Sequence, residues 1–198
     1  MLNNLSTSFT NLFYNNINLI SAKNLILPFE ALSFGCYESM FRNCSSLITA
    51  PDLPAITIHS SSYSCMFAGC SSLITAPKIF AKYLNNSSFA SMFADCTSLI
   101  NPPELTNILN IADYCFMGMF SGCTSLVTAP ALPFTNLSTQ CYSYMFKNCT
   151  SLINPPELPA MSLSYACYYE MFFGCTALTK SPILPALNLV DNCYRYMF

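Results

Sequence analysis

Apolar and polar positions along this chain return at a fixed interval. The pair Met-Phe stands at Met40-Phe41, Met66-Phe67, Met92-Phe93, Met119-Phe120, Met145-Phe146, Met171-Phe172 and Met197-Phe198, at steps of 26, 26, 27, 26, 26 and 26 residues. A degenerate copy, Leu12-Phe13, precedes the first by 28 residues. Self-similarity at such a period marks a stacked repeat rather than an ordinary globular domain. Within one unit, Leu163, Cys167, Tyr168, Met171 and Phe172 sit at i, i+4, i+5, i+8 and i+9. That spacing predicts one apolar stripe on a short helix.

The second residue after Met-Phe is Asn43, Gly69, Asp95, Gly122, Asn148 or Gly174. All tolerate a left-handed backbone, which is what the end of a helix requires, so helices are expected to stop there. Next come "SLIT", "SLIN", "SLVT" or "ALTK", too short for independent strands but suited to one rung of a parallel ladder near Leu47, Leu73, Leu99, Leu126, Leu152 and Leu178. Pro51, Pro77, Pro103, Pro130, Pro156 and Pro182 end each rung, since proline donates no ladder bond. Pro54, Pro133, Pro159 and Pro185 keep the return segment extended. The expectation is an α/β solenoid with one short parallel strand and one short helix per repeat. It forms a single unit over 1–198, with a degenerate first repeat at about 12–39 and regular repeats at about 40–198. Copies that cannot bury their apolar sides alone do so by stacking. The chain stops at Tyr196-Met197-Phe198, before the expected helix stop, and so reads as truncated within a repeat.

Two near-consensus units, "CYSYMFKNCTSLINPPELPA" (141–160) and "CYYEMFFGCTALTKSPILPA" (167–186), carry a family resemblance. The pattern resembles the bacterial surface-protein repeat of about 26 residues, related to the leucine-rich repeats of BspA-like surface proteins, over roughly residues 12–198. The resemblance implies a leucine-rich-repeat-like solenoid at a cell surface or in a secreted protein, engaged in adhesion to a host or neighbouring-cell surface protein or glycan. It supplies no catalytic residue. Departures are local: Ser62 and Ser88 replace the first cysteine of the unit, "KIFAKY" (78–83) lacks the Leu-Pro, and 104–115 carries one extra residue.

Composition narrows the function classes. Charged residues make up 8% of the chain and the net charge is −2. A nucleic-acid footprint needs a clustered basic face, and the few Lys and Arg are scattered. No run approaches the roughly 18 apolar residues of a membrane-spanning helix, and the first residues lack the form of a signal peptide. A surface so weakly charged suits contact and is poorly guarded against self-association.

Chemistry is sparse. Eleven of the twelve cysteines fill two repeat slots, Cys65 being the exception. If a helix separates the two slots, they lie about 12 Å apart, beyond disulfide reach within a unit. The favoured reading is a ladder of buried free thiols acting as small hydrophobes, with disulfides between repeats as the alternative. His59 is the only histidine, and no metal or other cofactor site is expected. The aromatic slot after the first cysteine reads as core, with tyrosine hydroxyls reaching its edge. Tyr144, Tyr169 and Tyr196 fall at outward positions. The carboxylates do not pair, and no nucleophile–base set or phosphate loop is present, so no enzyme is expected. The strand slot Thr49, Thr75, Asn101, Thr128, Asn154 and Lys180 is the candidate binding face, because Lys180 implies that it meets solvent. A purely structural spacer is the alternative function.

Overall fold

The computed structural model describes residues 9–198, and no α-helix occurs among them. The expected helix per repeat is therefore incorrect, and with it the α/β, leucine-rich-repeat-like class. Regular strand is confined to β1 (Thr57–Ile58) and β2 (Tyr83–Leu84), which pair in parallel. What replaces the helix is a run of tight turns, and its bonding explains why the sequence pattern misled.

Through residues 33–44 the backbone N–H groups alternate in direction. Cys36, Glu38, Met40, Arg42 and Cys44 donate three residues back, to Ser33, Gly35, Tyr37, Ser39 and Phe41. The intervening Gly35, Tyr37, Ser39, Phe41 and Asn43 donate instead to the next coil, at Ser60, Ser62, Ser64, Met66 and Ala68. An α-helix would turn every donor four residues back within its own segment. Here every second donor is given to a neighbour, so the turns exist only in the stack. Each fourth residue takes positive φ: Gly35, Ser39 and Asn43 in one coil, and Tyr114, Gly118 and Gly122 in another. The Asx/Gly slot is left-handed, as its composition suggested, but it is the third such position of three and not a helix terminus. Left-handed non-glycine residues cost about 1–2 kcal/mol each. The inter-coil bonds on both sides of them are what offsets that cost.

The Met-Phe peptide links form a continuous column. Phe13 donates to Met40 O, Phe41 to Met66 O, Phe67 to Met92 O, and so on to Phe172 and Met197 O. Beneath them the rings stack: Phe41 on Phe67, Phe67 on Phe93, Phe93 on Phe120 and Phe120 on Phe146 lie 5.4–5.8 Å apart and within 5° of parallel. The core runs along this wall, with Met66, Phe67, Met92, Phe93, Met119 and Phe120 fully buried.

The opposite, proline-rich side is looser. Single parallel bridges join Ser21 to Thr49, Thr75 to Asn101, and Thr128 to Asn154. The rung is thus interrupted rather than one ladder, and its bridges fall two residues past the leucines. Ile58 and Leu84, which hold the slot that Leu163 holds at the head of the expected helix, lie in β1 and β2 instead. Leu53 also bridges to Ile79, whereas among the described residues no backbone bond joins 129–134 to 155–160, or 155–160 to 181–186. Prolines occupy both partners there and remove the donors.

Candidate functional site

Where the turn wall ends, the chain passes through the candidate file. Thr75, Asn101, Thr128, Asn154 and Lys180 are exposed and Thr49 is half-buried. Bridging pairs Thr75 with Asn101 and Thr128 with Asn154, while Thr49 pairs with Ser21 of the degenerate repeat. Asn101 Nδ2 donates to Thr75 Oγ1 at 3.1 Å, so the side chains pair along the stack as well. Two grooves open against the file. One, of about 740 Å³, is lined by Asn154, Lys180, Glu157, Leu158 and prolines of the last two return segments. The other, of about 590 Å³, is lined by Lys23, Thr49, Thr75, Asp52 and Lys78 with Ile48 and Ile74. The first exists because the proline-rich segments beside it make no backbone bonds to each other.

Beside the file runs a feature that sequence reading passed over. Ile48, Ile74, Ile100, Val127 and Ile153 are 42–50% exposed, one per coil. They follow the buried leucines Leu47, Leu73, Leu99, Leu126 and Leu152, and alternation in an extended rung turns each outward. The signal was present: the slot is β-branched in seven consecutive units, from Ile20 to Thr179, while its position on the rung makes it face water. Between this row and the serine row two residues earlier lies a groove of about 440 Å³, lined by Ile48, Ser72, Ile74, Ser98, Ile100 and Ser125.

The thiols form two interior files. All twelve cysteines are free, and all but Cys65 are buried. Second-slot thiols tie each coil to the one before it. Cys70, Cys96, Cys123 and Cys149 Sγ lie 3.1 Å from the carbonyls of Phe41, Phe67, Phe93 and Phe120 in the preceding coil. Burial pushes Cys167 and Cys175 up to about 11 and Cys115 to about 12, and raises Cys96, Cys123 and Cys141 strongly. Thiols held protonated in this way are poor nucleophiles and poor ligands. Where serine replaces the first cysteine, the hydroxyl finds a carbonyl: Ser62 donates to Ser33 O at 2.8 Å and Ser88 to Asn85 O at 2.6 Å.

Two expectations about tyrosine resolve differently. The hydroxyls of Tyr37, Tyr63 and Tyr142 do not reach the edge of the core; they are buried without a hydrogen-bond partner. The outward Tyr144, Tyr169 and Tyr196 do gather, in edge-to-face contacts at 5.2 and 6.1 Å. Lys147 lies 5.2 Å from the Tyr144 ring centre and bonds Glu170 at 2.6 Å, which holds that carboxyl below its usual range.

His59 Nδ1 accepts the Ser60 N–H at 2.9 Å. Among the described residues no three His, Cys, Asp or Glu side chains gather into a metal-holding group. No helix among them is long and apolar enough to cross a membrane. No family model, curated protein or solved structure matches the chain.

Proposed function

We propose that the protein is a non-enzymatic repeat protein that binds through an extended face, and that its partner is a protein or glycan of a host or neighbouring-cell surface. The observation that carries this reading is the candidate file itself: exposed Thr and Asn side chains recur from coil to coil, bridged in the pairs Thr75–Asn101 and Thr128–Asn154, with open grooves alongside. Many weak polar contacts at regular spacing add up when they are physically linked. Placement at the cell surface or among secreted proteins rests on the repeat's resemblance to surface proteins.

The test is a pair of variants, Thr75→Lys/Asn101→Lys and Thr128→Lys/Asn154→Lys, screened against surface glycans and surface proteins. Each pair is expected to weaken binding in part, and the four together to abolish it. Full binding by the quadruple variant would refute the face. Binding by no form of the folded protein would favour the spacer role, for which the near-uniform stacking of the coils is sufficient.

A further inference from the structure

We propose that the proline-lined cleft between the last two return segments is a site for a tryptophan side chain of a partner protein. This concerns the cleft alone and does not depend on the threonine file.

Four return segments carry prolines at the same spacing: Pro51 with Pro54, Pro130 with Pro133, Pro156 with Pro159, and Pro182 with Pro185. Proline fixes its own φ and keeps the residue before it extended, so a Pro-x-x-Pro segment is preformed in a polyproline-like state. Aromatic side chains recognise such segments because little entropy is lost in docking against them. Only the last two turn their proline edges to a common space. In earlier coils Pro51, Pro77, Pro103 and Pro130 are buried. There Leu53 N–H donates to Lys78 O and Phe80 N–H to Leu53 O, which joins the neighbouring segments. Pro155, Pro156, Pro159, Pro182 and Pro185 are instead half-buried, and all five line the cleft of about 740 Å³.

The walls select the occupant. Among the described residues no backbone N–H reaches the carbonyls of 155–159 or 181–185. The prolines have no N–H to offer, so carbonyls outnumber N–H groups along both walls. A cleft of apolar rings and bare acceptors suits a flat apolar body that brings a donor. Indole is such a body: tryptophan donates and does not accept, and its ring buries a large area. An aliphatic side chain donates nothing, and a sugar hydroxyl adds acceptor lone pairs where acceptors are already in excess. Lys180 on one wall and Glu157 on the other strengthen the choice. The only ion pair among the described residues is Lys147 with Glu170, so both are without an ionic partner. An ammonium favours the face of an indole over other rings, and a carboxylate accepts its N–H. The volume falls in the range of about 300–1,000 Å³ that closes round small ligands, and buried aromatic anchors in such pockets carry much of an interface's energy. The chain contains no tryptophan. A second copy therefore cannot supply the anchor, and the partner is a different protein.

The same lack makes indole fluorescence a selective probe. N-acetyl-L-tryptophanamide titrated with the protein is expected to show saturable binding. In NMR spectra it should shift the amide signals of Lys180, Ser181 and Ile183 while those of Thr75 and Asn101 stay in place. The 1-methylindole analogue, which keeps the ring and loses the N–H, should bind at least about threefold more weakly. N-acetyl-leucinamide should not bind. Pro156→Ala/Pro182→Ala removes two rings and restores two N–H donors, and should weaken binding of the probe several-fold. Ser181→Trp, at an exposed lining position, keeps the prolines if that pair does not fold. Its own indole should enter the cleft, emit at shorter wavelength than in the unfolded chain, and block the probe. No saturable binding, equal binding of the methylated analogue, or shifts that map away from the two proline segments would overturn the site.

Discussion

The turn wall and the proline-rich side are written by the same repeat, yet they are held together in different ways. On the wall every second N–H crosses to the next coil, rings stack between them, and thiols reach the same phenylalanine carbonyls. On the return side only β1, β2 and isolated bridges cross, and beyond residue 129 the proline segments do not bond to one another. The wall supplies stability, and the return side supplies an uneven surface with grooves. A stack needs one rigid edge to fix its spacing, and this leaves the other edge free to vary.

Alkali should break the wall most completely. The thiols of Cys70, Cys96, Cys115, Cys123, Cys141 and Cys149 all lie in it, and burial raises each of them. Their contribution is fully present below the unfolded thiol value of about 8.5 and is lost as pH rises toward the folded values. The six losses act in the same direction and add, against a whole-domain stability of only about 5–15 kcal/mol. A sharp unfolding between about pH 9 and 10, followed by circular dichroism, is expected. A chain still folded at pH 11 would show that the thiols are not sequestered.

Next in size is Phe120→Ala, which interrupts the ring column and should cost about 3–5 kcal/mol in denaturant titration. A smaller, more specific effect concerns the alternation of Asp95 with Gly122. Gly122 has φ +76°, and a Cβ there would strike the Asp95 carboxylate oxygen. The same relation holds between Asn43 and Gly69, and between Asn148 and Gly174. Gly122→Ala should therefore cost about 1–3 kcal/mol. Adding Asp95→Gly should recover part of that loss, a coupling that a double-mutant cycle detects. The smallest effect belongs to the return side: Pro133→Ala should change stability by at most about 1 kcal/mol, chiefly through the unfolded chain. A loss comparable to that of Phe120→Ala would erase the contrast between the two sides.

The repeat, its register and its inward residues were legible because Met-Phe and Asx/Gly return so regularly. The helix was misread for a physical reason. A left-handed residue every fourth position turns the same side chains inward as a helix of 3.6 residues per turn, so Leu163, Cys167, Tyr168 and Met171 fit both. Only the third left-handed slot bears a composition that reveals it. The first two hold Ser39, Cys65, Tyr114, Gln140 and Ala166, which ordinarily avoid that conformation and adopt it here because the neighbouring coil holds them. Nothing local encodes such a constraint. Of the candidate face, Lys180 correctly signalled exposure. The aliphatic row beside it was legible only through alternation along the rung, which turns the residue after each buried leucine outward, and not through hydrophobicity itself.

The peptide column through Met-Phe has one more consequence. Each link accepts from the coil before it and donates to the coil after it, and four further columns run parallel to it on the wall. Peptide dipoles of about 3.5 D aligned head to tail add along a helix axis; here they add along the stack, across the direction of the chain. The protein is thus an electrically polarised rod with few formal charges. Its positive pole points toward the C-terminal coils, and its moment grows with every coil added. Two such rods lie side by side most favourably when their poles oppose.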